Sequence, residues 1–309
     1  MQSDSQAAAP ARIALVQSKP RKGAYIDNLA ALRAVFAQLA ALDAPPQLLI
    51  LPEAALTGYF LEGAVYESAR SAERFGHELS SLWRDVAGQR PVEIAAGFYE
   101  VDNGSYYNSA IWLALDERET RILHVHRKLF LPTYGVFDEE RFLSRGNRVR
   151  VFDSPLLGKT ALLICEDVWH SMVPTIAALK GARSIVVPSA APGRGIEGEG
   201  ELLSVTRWRE LLRGIAMEHG CFVLYAGLAG FEGGKGMTGS SCAIGPDGTT
   251  LVRAEADDAC IVRAELFLDD IEIARANLPL LGDLRAVLPD LLADEELPWL
   301  RGRSDASDC

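Results

Sequence analysis

LLICEDVWH, residues 162–170, runs four apolar residues straight into a cysteine and sets two acids directly behind it. A short apolar run of this kind reads as a buried strand, and the acids mark the turn that ends it. In α/β proteins the ends of strands form the crevices where ligands bind. Two other apolar stretches break in a similar way. LLILPEA (48–54) stops on Pro52 and Glu53, and LHVHRKLFLP (123–132) carries Lys128. A thiol, a carboxylate and an amine at such positions can converge on one crevice.

Working outward, RIALVQ (12–17) and QLLIL (47–51) read as short buried strands with little alternation. NLAALRAVFAQLAAL (28–42) between them has helical spacing, and a second helix is predicted over 68–87. EIAAGFYE, NSAIWLALD and TRILHVHRKLFLP follow as strands, the first two separated by the turn-rich DNGSYY. VRVFDS and KTALLIC come next, then a helix over 171–180 and the strand RSIVVPS. LLSVTRWRELLRGIAMEHG (202–220) is a long amphipathic helix with Gly220 as its stop. CFVLYAGLAG is a strand, SSCAIGPDGTTLVRAE a hairpin turning at PDG, and ACIVRAEL a further strand. Helices near 267–276 and 283–294 close the chain. Interleaved strands and helices with inserted hairpins predict one α/β domain with mixed sheets over 11–298. Residues 1–10 read as a frayed, disordered terminus and 299–309 as a tail.

Composition narrows the function classes. The chain has 309 residues, 49% hydrophobic and 24% charged, which suits a globular protein with a sizeable core. Its net charge of −11 argues against a nucleic-acid surface. MQSDSQAAAP lacks the charged and apolar regions of a signal peptide, and no apolar run is long enough to span a membrane. Cys165, Cys221, Cys242, Cys260 and Cys309 are few and scattered, which points to reduced thiols in the cytoplasm.

The three reactive residues divide one job. A free thiol with a pKa of about 8.5 is mostly protonated at neutral pH, so a nucleophilic cysteine needs a base or a nearby positive charge. Glu53 can be the base. Lys128 can supply the charge and hold the oxyanion formed when a thiolate attacks a carbonyl, with the backbone N–H after Cys165 as a second donor. Singly, each residue also reads blandly: a small buried hydrophobe, a solvated turn acid, a surface lysine. Other chemistries fit less well. HVH puts His124 and His126 on one strand face, but no third and fourth ligands follow at a zinc spacing, so no metal or other cofactor is expected. GFEGGKGM (230–237) lacks the Walker spacing, so it and APGRGIEGEGE (191–201) read as loops over a site. A redox sensor at Cys165 would need a resolving cysteine, and none lies nearby in the sequence.

LILPEAALTGY, HRKLFLPTYGVFDEERF and LLICEDVWH together resemble the three catalytic motifs of the nitrilase superfamily of carbon–nitrogen hydrolases. The resemblance runs from about residue 11 to about residue 290. It maps the family's catalytic glutamate to Glu53, its lysine to Lys128, its nucleophile to Cys165 and a further glutamate to Glu139, with Arg141 behind it. It implies a four-layer α-β-β-α sandwich, cleavage of a small non-peptide amide through a cysteine thioester, and a homodimer or higher homo-oligomer. An N-carbamoyl amine hydrolase, a glutaminase-type amidase and a non-catalytic scaffold of the same fold are the alternatives. The motifs look most similar to the glutamine amidotransferase domains of NAD synthetases, and over 309 residues a free-standing amidase is expected. Tyr59, Tyr134, Glu166, Trp169 and His170, beside the motifs, are expected to bind substrate, and Arg194 can hold a substrate carboxylate. One departure is Gly227, near a position where many relatives carry asparagine.

Overall fold

Neighbouring residues of β1 (Ala11–Gln17) face two different cores. Ile13 and Leu15 join one apolar cluster, Ala14 and Val16 the other. β2 (Leu48–Ile50) repeats the division, with Leu48 and Ile50 on the first side and Leu49 on the second. A strand buried on both faces reads as an unbroken apolar run, which is why these segments show so little alternation. Each such strand lies in an inner layer and needs packing partners on either side.

The computed structural model describes residues 9–197, 201–232, 234–255 and 258–293. The expected frayed start and C-terminal tail, and Cys309, lie outside these residues except for positions 9 and 10. The first half of the chain supplies α1 (Tyr25–Ala40), α2 (Val65–Ser68), α3 (Ala72–Ala87), β3 (Val92–Asp102), β4 (Ser105–Leu115) and β5 (Thr120–Arg127). With β16 (Cys260–Leu266) these strands form a sheet in the order β16-β1-β2-β3-β4-β5. Its β1–β2 and β2–β3 pairs are parallel and the others antiparallel.

The second half builds an equal sheet. Its strands are β6 (Phe152–Ser154), β7 (Gly158–Leu162), β8 (Ser184–Ser189), β11 (Phe222–Gly227), β14 (Cys242–Ile244) and β15 (Thr250–Arg253). Their order is β15-β14-β11-β8-β7-β6. α4 (Met172–Leu179) and α5 (Leu203–His219) cover its outer side, followed by α6 (Asp270–Asn277) and α7 (Leu280–Leu292). The short strands β9 (Ile196–Glu197) and β10 (Glu201–Leu202) pair with each other, as do β12 (Ala229–Glu232) and β13 (Lys235–Thr238).

Packing sets these elements in four layers. Phe36 of α1 and Phe75 and Trp83 of α3 pack with Leu49, Ile94 and Ile111 on the outer face of the first sheet. Ile13, Leu15 and Trp112 on its inner face share a cluster with Val186 and Leu224 of the second sheet and Val173, Leu212 and Ile215 of its helices. The mixed sheets and the layering match the expectation from sequence.

Local readings change in several places. The strand read as KTALLIC ends at Leu162, three residues short of the cysteine. The stretch read as a loop after Gly230 is instead the antiparallel β12–β13 pair. The second helix starts at Ala72 because the Ser71 hydroxyl accepts the Arg74 N–H at 3.2 Å and caps it there. No helix among the described residues is long and apolar enough to cross a membrane.

The α1–α3 layer closes around Trp83, which has no exposed surface, meets Phe36 edge-on at 5.7 Å and donates its indole N–H to the Arg90 carbonyl at 2.8 Å. Trp83→Ala is therefore expected to cost about 3–5 kcal/mol. A lower urea midpoint at unchanged slope is the reading that checks it.

Candidate active site

Glu53 leaves the end of β2 in a turn pressed against β3. The Leu51 N–H donates to the Ala95 carbonyl at 2.8 Å, the Gly97 N–H to the Pro52 carbonyl at 3.0 Å, and the Ala55 N–H to the Gly97 carbonyl at 3.1 Å. Contact at position 97 is so close that a Cβ there would lie 2.5 Å from the Glu53 Cα and 2.7 Å from the Pro52 oxygen. Only glycine fits.

Lys128 follows β5 directly and is fully buried, as is Glu53. Its Nζ donates to Glu53 Oε1 at 2.8 Å and to Glu139 Oε1 at 3.0 Å. Asn108 of β4 donates from its Nδ2 to the same two oxygens, at 2.7 and 2.9 Å. An ammonium and an amide thus hold two carboxylates that would otherwise repel each other. Burial opposes the charge on Lys128, but Glu139 and Glu53 outweigh it and lift the lysine well above its usual pKa. Glu139 is itself raised, first by burial and then by the charge of Glu53, with Lys128 acting against both.

Cys165 stands at a sharp elbow. Its φ of +44° is left-handed, and the chain beyond it coils into a short 3₁₀ turn, Cys165–Trp169. Asp167, fully buried, shapes that elbow and fastens it to the end of β5. Its Oδ2 accepts the Ile164 N–H at 3.0 Å and pairs with His126 Nε2 at 2.8 Å. Its Oδ1 accepts the N–H groups of Leu129 at 2.9 Å and Phe130 at 3.2 Å. Lys128 and Cys165, from different sheets, are thereby tied through one carboxylate.

The end of β8 reaches both the Cys165 thiol and the Glu53 carboxylate. The Ser189 hydroxyl donates to Cys165 Sγ at 3.2 Å, and the Ala190 N–H donates to Glu53 Oε2 at 2.7 Å. Burial pushes the Cys165 thiol well up, the Glu53 charge adds to this, and the Lys128 ammonium pulls the other way. Burial and the Glu53 charge thus favour the protonated form of the sulfur.

Cys165, 7% exposed, opens on a cavity of about 290 Å³. Tyr134, Glu166 and Trp169 line it with the cysteine, as do Trp208, Arg194 and Arg207. The Tyr134 hydroxyl donates to the Glu166 carboxylate at 2.9 Å, and burial and that carboxylate push the phenol up to about 12. Tyr59 is buried and lines a neighbouring cavity with Glu139. His170 lines neither cavity and stacks on Phe130, ring centroids 3.6 Å apart. Arg141 pairs with Asp138 at 3.5 Å.

Gly227 has a steric explanation. Its N–H donates to the Ser241 hydroxyl at 2.9 Å, and a Cβ there would lie 1.8 Å from the Gly239 carbonyl oxygen. The chain at 239–241 occupies the space that an asparagine side chain would need. His126 is held by Asp167, and His124 stacks on Phe152 with centroids 4.9 Å apart. No group of three or more metal-ligating side chains occurs among the described residues.

Sequence reading passed over Asn108, Ser189 and Trp208. Ser189 ends a buried strand in a polar residue, the same signal that drew attention to Glu53 and Cys165. Asn108 stands at the polar head of the apolar run NSAIWLALD. Trp208 gave no such signal, because a tryptophan on an amphipathic helix reads as core.

The carbon–nitrogen hydrolase family profile matches residues 12–276. The chain is 32% identical over 258 residues to the glutamine-dependent NAD(+) synthetase of Rhodobacter capsulatus, an alignment covering 82% of this chain and 43% of that protein. It spans less than half the length of the NAD(+) synthetases it matches. It is also 30% identical over 287 residues to an (R)-stereoselective amidase from a Pseudomonas species, covering 90% of this chain and 92% of the relative. Among solved structures, the carbon–nitrogen hydrolase from Helicobacter pylori G27 superposes with a TM-score of 0.80 at 25% identity, covering 92% of this chain and 98% of that one.

The opposed influences on the thiol give a test with a definite sign. Glu53→Gln removes an anion that raises the Cys165 pKa and leaves Lys128 beside Glu139. The midpoint for thiolate absorbance, taken as a difference spectrum against Cys165→Ser, is expected to fall relative to the unaltered protein. A midpoint that stays or rises contradicts the charge arrangement.

Proposed function

Because the chain belongs to the carbon–nitrogen hydrolase family of the nitrilase superfamily, we propose that it cleaves a small non-peptide amide through a thioester on Cys165. The observation that carries this reading is the buried Glu53–Lys128–Glu139 network beside a cysteine that opens on a cavity. Glu53 takes the thiol proton, and the sulfur attacks the amide carbonyl. Lys128 and the Glu166 N–H receive the oxyanion. As the tetrahedral intermediate collapses, the C–N bond breaks and Glu53 returns its proton to the departing nitrogen. Water then gives a proton to Glu53, its oxygen attacks the thioester, and the acid leaves as the thiol is restored. The balance is amide plus water to acid plus ammonia or amine.

The acyl half belongs in the Cys165 cavity. Arg194 and Arg207 stand in its wall, and the Arg194 guanidinium lies 4.7 Å from the Phe137 ring centroid. Guanidinium groups match carboxylates in shape and charge. They favour an acyl group that ends in a carboxylate, as in an ω-amide, and Trp169 and Trp208 would flank its carbon chain.

A panel of amides, carbamoyl compounds and nitriles tests the reading, each with and without a distal carboxylate. Amide turnover with ammonia or amine as the nitrogen product, and without carbon dioxide, is expected. It should be faster for the carboxylated member of each pair and lost in Cys165→Ala. Intact-protein mass spectrometry after an acid quench should show one acyl group on the parent protein. Turnover that survives Cys165→Ala would remove the nucleophile from the scheme, and carbon dioxide released with the ammonia would move the substrate to the carbamoyl class.

A further inference from the structure

Two cavities flank the catalytic network, and each reaches a different member of it. The one described above opens on Cys165; a second, of about 320 Å³, opens on Glu139 and Tyr59. Phe137 lines both. Lys128 and Glu53, without exposed surface, line neither.

We propose that the second cavity is the binding site for the amine half of the substrate and takes alkyl and aralkyl amines; this rests on the amidase reading above. Size is the first support. Ammonia is about as large as a water molecule, whose share of liquid volume is about 30 Å³. This cavity has about ten times that room.

Chemistry is the second support. Tyr59, Phe60, Leu61 and Phe142 line the cavity, and their apolar carbon suits the alkyl or aralkyl part of an amine. Lys235 is one charged group in that wall, its ammonium 4.1 Å from the Phe60 ring centroid. Of the other charged groups in the wall, Asp138 and Arg141 neutralise each other at 3.5 Å. Glu139 is thus the acid nearest an arriving nitrogen. When the C–N bond breaks and Glu53 has given its proton to that nitrogen, the freed amine moves past Glu139 into the cavity. The acyl group stays on the sulfur.

Benzylamine is the probe, with binding measured by calorimetry on the unaltered protein, on Cys165→Ala and on Val136→Trp. Val136 is 40% exposed at the cavity lip, so an indole there fills the space without entering the core. Benzylamine is expected to bind the first two alike and Val136→Trp at least about tenfold more weakly. In turnover, kcat/KM for an N-benzyl amide should fall by a similar factor in Val136→Trp, while the primary amide of the same acid, which also reports folding, changes by less than about twofold. No benzylamine binding to the unaltered protein, equal binding to Val136→Trp, or an equal loss on both amides overturns the assignment. If benzylamine follows the expected pattern while no amide is cleaved, the amine site stands and the amidase reading falls.

Discussion

A lysine ammonium shut away from water stays charged only if anions lie against it. Lys128 has two, Glu53 and Glu139, at 2.8 and 3.0 Å. The rest of the site follows from that constraint. The carboxylates have to come from separate segments, so the end of β2 and the 139–141 turn must both reach the end of β5. Asn108 donates to the same oxygens and relieves the repulsion between them. In the mechanism we propose, that positive charge receives the oxyanion and Glu53 serves the thiol.

A second buried carboxylate does the positioning. Asp167 takes no part in the proposed proton transfers, yet its hydrogen bonds join the elbow at Ile164 to Leu129 and Phe130 beyond β5. Lys128 comes from the first sheet and Cys165 from the second. Sheets packed only through apolar side chains could slide by fractions of an ångström, whereas directional bonds to one acid fix the register between them. The Ala190 N–H does the same for Glu53 from the far side.

Much of this was legible in the residues. Apolar runs without alternation meant strands buried on both faces, and the division of Ile13 and Leu15 from Ala14 and Val16 bears that out. The reactive trio stood out because polar types break apolar strands at their ends. What the sequence did not disclose was which side of the network a neighbour would take. Tyr59 and Tyr134 both lie close along the chain to residues of the candidate site, yet they line different cavities that have Phe137 in common. His170 follows the elbow but turns toward Phe130, since the short 3₁₀ coil rotates each successive side chain by about a third of a turn. The β12–β13 pairing stayed hidden because its strands are short and rich in glycine, which depresses any strand signal.

Gly97 carries a consequence for how such a site tolerates change. Its missing methyl group is what lets β3 lie against the main chain of Pro52 and Glu53. Even the smallest replacement at that position would displace Glu53, the proposed base, without altering any charge or exposing any surface. The vulnerability of the chemistry is therefore wider than the list of groups that perform it, and it includes a position whose contribution is empty space.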